Sequence, residues 1–271
     1  MPSVASTFPG VSIIRYRELF LQLSQRKIDE LTKGSWLGWG WSILHPLLQL
    51  GVYTVVFGLI LGGSFGDVKT SGPFDFSLGI FMGLLLVNLI NDTLMIAPNT
   101  VVGHANFVKK VVFPVELLPA AAITSVLHKF VISTGLFLIA LLVLGPGWSW
   151  RLLWLPLFLC PVVLMTYGIG WALSAVGVYL RDSAQIVQFL TQVIFYASAV
   201  FYSPDEIPQD IAVWLNFNPL MHAIELSRDV TLWDRPIDFR SVIYLWVFSL
   251  AIFYAGYRVF ARLRPGFANH I

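Results

Sequence analysis

"FSLGIFMGLLLVNLINDTLMIAPNT", residues 76–100, runs for twenty-five positions with one ionisable side chain, Asp92. A helix crossing a bilayer needs about 20 predominantly apolar residues. Stretches of the same kind recur at 36–61, 120–144, 152–178, 186–203 and 241–261, the fifth being the shortest. Those above 20 residues imply tilt or extension past the hydrocarbon core. Composition agrees with this reading. Of 271 residues, 57% are hydrophobic and 12% charged, and mean hydropathy is +0.76. A soluble domain carries about 25% charged residues, so this chain is too apolar to clothe a water-facing surface. The expected fold is an all-α integral membrane protein with six spans in one domain, 1–271.

The charges orient it. With the amino terminus inside, the inner segments hold Arg15, Arg17, Arg26, Lys27, Lys33, Lys109, Lys110, Arg181, Arg258, Arg262 and Arg264. The outer ones hold Lys69, Arg151, Arg228, Arg235 and Arg240. Eleven against five satisfies the positive-inside rule and places both termini in the cytoplasm. Net charge is only +2, and no one-sided basic patch offers a nucleic-acid surface. The single cysteine, Cys160, excludes an intrachain disulfide. "MPSVASTFPG" at the start lacks the charged and apolar regions of a cleaved signal.

Residues 11–33 read as an amphipathic helix. Arg15, Glu18, Gln22, Arg26, Asp29 and Lys33 form a polar stripe, and Ile13, Tyr16, Phe20, Leu23 and Leu31 lie opposite. Such a helix suits the membrane surface, the other reading being a surface helix packed on a partner. Trp36, Trp39 and Trp41 follow where charge gives way to apolar sequence, either as interfacial anchors or as the lining of a pathway.

Two intramembrane ions need a reason. Asp92 and Lys129 lie about 12–14 Å below the same surface on consecutive antiparallel spans. They are expected to pair, or to share a polar network with Asn88 and His128, the alternative being a substrate or ion contact. The link "HANFVKKVVFPVELLPA" (104–120) is too apolar for a plain connector and reads as a short helix against a partner, or as an interfacial loop. Between spans five and six, Pro204, Pro208 and Pro219 punctuate short apolar stretches that suit re-entrant helices.

Chemistry-bearing motifs are few. "GGSFG" (62–66) matches G-x-S-x-G but lies in a polar loop rather than between a strand and a helix, so it reads as a turn. Metal-binding Cys/His patterns and a phosphate-binding G-x-x-x-x-G-K-[ST] loop are missing, so any nucleotide chemistry must reside on another chain.

Four stretches carry a family resemblance: "KGSWLGWGWSILHPLLQLGVYTVVFG" (33–58), "ANFVKKVVFPVELLP" (105–119), "VYLRDSAQIVQ" (178–188) and "FNPLMHAIELSRD" (217–229). In order and spacing the chain resembles the membrane subunit of type 2 ABC exporters, closest to Wzm-like O-antigen permeases and the related teichoic-acid permeases. The resemblance implies a homodimer in the bacterial inner membrane with a channel between its copies. It implies two copies of a cytoplasmic ABC ATPase, so this chain carries no cofactor and ATP and Mg belong to the partner. The substrate implied is a lipid-linked glycan.

The same resemblance assigns an interface helix to 11–33, a coupling helix to about 105–119 and an extracytoplasmic re-entrant gate to about 205–230. Channel candidates by position are Trp36, Trp39, Tyr53, Phe57, Phe195, Tyr196, Phe201 and Tyr202. Arg15, Arg17 and Lys33 are candidates for the carrier's pyrophosphate, or plain positive-inside charges. Lys109, Lys110, Phe113, Pro114 and Glu116 are expected at the ATPase, and Asn218, Pro219 and Arg228 at the gate. Competing readings are export of teichoic acid, a lipid or a small drug by the same architecture, an intramembrane prenyl or glycosyl transferase, and a structural scaffold.

Overall fold

The computed structural model describes residues 9–33, 36–38, 40–60, 74–109, 113–180, 182–203 and 208–271. Trp39, Lys110 and residues 61–73 and 204–207, which include the GGSFG motif, lie outside the described residues. Every regular element described is helical.

The amino-terminal amphipathic segment forms two helices, α1 (Pro9–Arg15) and α2 (Arg17–Thr32), divided at Tyr16. The first span begins at Gly40: α3 (Gly40–Tyr53) runs into a wider π-helical stretch, Thr54–Ile60. Next come α4 (Asp75–Val102), the four-residue α5 (Ala105–Val108) and α6 (Leu117–Leu144). A 3₁₀ turn, Trp150–Trp154, leads into α7 (Leu155–Tyr179). Then follow α8 (Ser183–Ala197), the short α9 (Gln209–Leu215) and α10 (Pro219–Arg228), α11 (Phe239–Leu263) and α12 (Phe267–His270).

Five of these segments are long and apolar enough to cross a membrane: Gly40–Phe57, Asp75–Val102, Leu117–Leu144, Trp150–Tyr179 and Phe239–His270. The expected fifth span, 186–203, differs. Its helix ends at Ala197 after 15 residues, about 22 Å against a core of about 30 Å. The expected coupling helix over 105–119 differs too. Among the described residues of that stretch, only Ala105–Val108 form a separate helix, while Leu117–Pro119 form the first turn of α6. Proline is tolerated there because a first-turn N–H has no intrahelical acceptor.

α4 lies at the centre, enclosed along most of its length, while α3 and α8 leave most of their surface uncovered. Inside a bilayer the lipid is as apolar as leucine, so close packing and interhelical hydrogen bonds must hold helices together. The α7–α11 pair is the most extensive contact. There Gly168 meets Gly256, and a methyl group on either would run into the other helix's backbone. Trp246 Nε1 donates to Leu157 O at 3.0 Å, and Ser174 Oγ donates to Ala97 O on α4 at 2.9 Å. Residues 9–33, 103–109, 113–116 and 263–271 gather at one end of the bundle, where Ile13, Phe20, Phe107 and Phe113 pack around Trp171, Phe260 and Phe267.

Candidate functional site

The opposite end carries a heavily bonded charge. Arg228, the last residue of α10, is completely buried. Its Nε donates to Gly79 O on α4 at 2.9 Å. Nη1 donates to Ala199 O at 2.9 Å and to Glu225 Oε1 at 2.8 Å, and Nη2 donates to Val200 O at 2.7 Å. These acceptors exist because α8 breaks. Ala199 adopts φ 51°, the left-handed region, so the carbonyls beyond Ala197 leave the helical ladder and need outside donors. A guanidinium presents five N–H groups in a planar fork and can satisfy several at once.

Asn218 supports the same break from the other end of α10. Its Nδ2 donates to Ala197 O at 3.0 Å and to Ser198 Oγ at 3.1 Å, while its Oδ1 accepts from Leu220 N and so caps α10. Pro219 takes the first helical position, where its missing N–H costs nothing. Asn218 and Arg228 thus clamp the end of α8, and Pro219 opens the helix between them. α9 is not clamped in this way: Ile211, Val213 and Trp214 are exposed.

Acidic groups flank the clamp. Arg151 Nη1 pairs with Asp234 Oδ1 at 2.6 Å, and the Arg235 guanidinium lies over the Trp233 ring at 5.4 Å. Burial, with the Glu225 carboxylate nearby, pushes the Asp229 carboxyl up to about 7, against the pull of Arg235, Arg151 and Arg228.

Of the eight candidate channel aromatics, four interlock. Tyr53 stacks on Phe57 (5.8 Å), Phe57 on Phe201 (5.2 Å), and Phe201 meets Tyr53 (5.9 Å) and Phe195 (5.3 Å). They are half-buried against the core and fasten the first span to the end of α8. They pack on one another and on the core while each stays partly exposed. Tyr202 is also half-buried, its hydroxyl donating to Tyr196 O at 2.7 Å. Tyr196 and Trp36 are open, at 69% and 98% exposure.

Between the ends, Lys129 Nζ donates to Asp92 Oδ2 at 2.6 Å. The pair borders a cavity of about 210 Å³ whose polar wall also includes His45, Gln49, Asn88 and Ser133. Asn88 Nδ2 donates to Gln49 Oε1 at 3.4 Å rather than to the pair, and His128 is not part of that wall. Sequence reasoning missed His45 and Gln49. Their signal was two polar residues at i, i+4 on one face of an apolar span.

At the end holding 103–116, Lys109 is exposed and Phe113 packs against Phe107 at 4.8 Å. Pro114 and Glu116 are buried, which corrects their expected place at a docking surface. Glu116 turns inward to pair with Arg264 beyond α11 at 2.9 Å, and its carbonyl accepts from Trp171 Nε1 on α7 at 3.1 Å. It fastens the 103–116 link to two other spans. Arg15, Arg17 and Lys33 are all exposed, with the Arg15 guanidinium 5.5 Å from the Tyr16 ring centre. Among the described residues no group of three or more His, Cys, Asp or Glu could hold a metal.

The described residues thus form a helical bundle with five segments able to cross a membrane, a clamped helix break at one end and an inward-anchored link at the other. Residues 18–232 match the model of the ABC-2 type transporter family, and the chain belongs to that family. It is 25% identical over 261 residues to the O-antigen export system permease protein RfbA of Myxococcus xanthus, covering 96% of this chain and 97% of that one. A protein of the same name from Klebsiella pneumoniae is 23% identical over 255 residues, 93% and 94% of the two chains. The polysialic acid transport protein KpsM of Escherichia coli is 23% identical over 227 residues, 81% and 83% of the two.

Proposed function

We propose that this chain is the channel-forming subunit of an ATP-driven exporter that moves a lipid-linked polysaccharide of the O-antigen kind outward across the bacterial inner membrane. The observation that carries this reading is similarity along nearly the whole chain to permeases named for O-antigen and polysialic acid export. Two copies of this chain form the channel, with the uncovered faces of α3 and α8 turned toward each other. α8 and the bent segment after it make the sixth crossing. Residues 9–33, 103–116 and 263–271 lie in the cytoplasm.

Two copies of a separate ABC ATPase bind ATP and Mg and dock at exposed Lys109 and its neighbours. Their closure pushes the 103–116 link. Glu116 passes that displacement to α11 through Arg264 and to α7 through Trp171. Movement of these spans relative to α4 loads the Arg228 clamp, which joins α4, α8 and α10. Arg15, Arg17 and Lys33 offer cations to the carrier's phosphates at the entry side. The test is deletion of the gene in its host. The expected result is loss of surface glycan with lipid-linked glycan accumulating inside, restored by the intact gene. Unchanged surface glycan in the deletion strain refutes the reading.

A further inference from the structure

Three glutamines stand out on α8. Gln185, Gln188 and Gln192 are exposed, and no hydrogen bond from their side chains reaches another described residue. At about 100° per residue they and Tyr196 fall within an arc of about 80°, on the side of the helix away from buried Val187. They climb about 16 Å along the axis, from the first turn to the foot of the Arg228–Asn218 clamp. No Asp, Glu, Lys or Arg occurs between Ser183 and Ser203, so the stripe is polar but uncharged.

Amides without partners do not face hydrocarbon, because nothing there replaces their hydrogen bonds. The stripe must meet water, a polar ligand or another polar surface. We propose that Gln185, Gln188 and Gln192 are a hydrogen-bonding track for the passing glycan, with Tyr196 as its aromatic end. This rests on the polysaccharide-export reading above.

The chemistry fits a neutral polyhydroxyl chain. A primary amide offers two donors and one carbonyl acceptor, and a sugar hydroxyl both donates and accepts, so either orientation of the chain is served. Successive amides are three and four residues apart, about one helical turn, so a hydroxyl released by one is within a sugar's length of the next. Without a fixed charge the track has no single deep binding site that would arrest movement. Phe189 and Tyr196 flank the amides with exposed rings suited to the apolar faces of sugars. A sealed seam between two copies would instead call for small residues that allow close helix approach, and this face carries glutamines and large rings.

The experiment uses the assembled permease–ATPase complex in membranes. In a Cys160→Ser background, Gln185→Cys, Gln188→Cys, Gln192→Cys and the buried control Val187→Cys are treated with a positively charged methanethiosulfonate reagent. The three track positions are expected to react and Val187→Cys is not. Reaction should be several-fold slower in cells making the glycan than in cells that cannot. The triple Gln→Leu variant should lower glycan export at least tenfold while ATP hydrolysis continues, and single Gln→Asn variants should stay within about twofold of wild type. Wild-type complex that exports no glycan refutes the export reading itself. With wild-type export normal, three outcomes refute the track alone: unreactive cysteines, oxidative cross-linking of those cysteines between copies, or undiminished export by the triple variant.

Discussion

Replacing Arg228 with methionine removes the guanidinium from a site with no exposure. The carbonyls of Gly79, Ala199 and Val200 lose a charged donor, and Glu225 loses its counter-charge. Breaking a buried pair by removing one member costs about 3–5 kcal/mol. Methionine fills much of the volume and avoids burying a charge, which favours the lower figure. A cost of about 3 kcal/mol raises the population in which α8 and α10 have parted by roughly a hundredfold. Hydrogen–deuterium exchange of the purified protein in lipid nanodiscs measures this directly. Amides of α10 and of the last turn of α8, Ile194–Ala197, should exchange about a hundredfold faster. Amides in the middle of α6 should be unchanged. Arg228→Lys, which keeps the charge but has a compact three-donor head, should fall between the two. Wild-type exchange in Arg228→Met would show that the clamp does not hold α8, and the account of this end would be wrong.

Other expectations follow from the same packing. Glu116→Gln and Arg264→Met should not be additive; because Arg264 is partly exposed, a double-mutant cycle in thermal unfolding should give a coupling of about 1 kcal/mol, and zero coupling would remove the proposed link from 103–116 to α11. Gly256→Val drives a side chain into the Gly168 backbone and should lower stability by about 1–3 kcal/mol or prevent assembly, whereas an unchanged melting temperature would contradict the contact. Asp229 holds its proton more tightly folded than unfolded, its carboxyl being raised from 3.8 to about 7. Between those values the unfolded chain binds fewer protons, so stability falls as pH rises through that window. Asp229→Asn should flatten this slope and be the more stable form above pH 7 by up to about 4 kcal/mol, at about 1.4 kcal/mol per pKa unit. Equal melting temperatures of the two proteins at pH 5 and pH 8 would refute it.

Much of the helical layout was legible because a span needs only length and apolarity, and residues 76–100 and 241–261 offered both. The end of α8 was not. "SAVFYS" after Ala197 is as apolar as the helix before it, so the reading ran on to residue 203; the break depends on donors from Asn218 and Arg228, some twenty to thirty residues away. Pro119 misled in a similar way. It read as a boundary after the link, yet it occupies the first turn of α6, where proline fits. The depths of Asp92 and Lys129 followed from helical rise alone, and the two groups meet at 2.6 Å. The resemblance puts Glu116 at the docking surface, and only the fold shows Arg264 arriving beside it. Which aromatics are free and which are packed depends on helix rotation, which a hydrophobic run on all faces does not encode.

The most direct test of the central claim is reconstitution of this chain with an ABC ATPase of its host, in vesicles loaded with the host's own lipid-linked polysaccharide. The account predicts that glycan reaches the opposite leaflet only when ATP and Mg are supplied on the ATPase side, with two copies of each chain in the complex. Translocation at the same rate without the ATPase, or ATP hydrolysis by the complex with no movement of the host glycan, would contradict it.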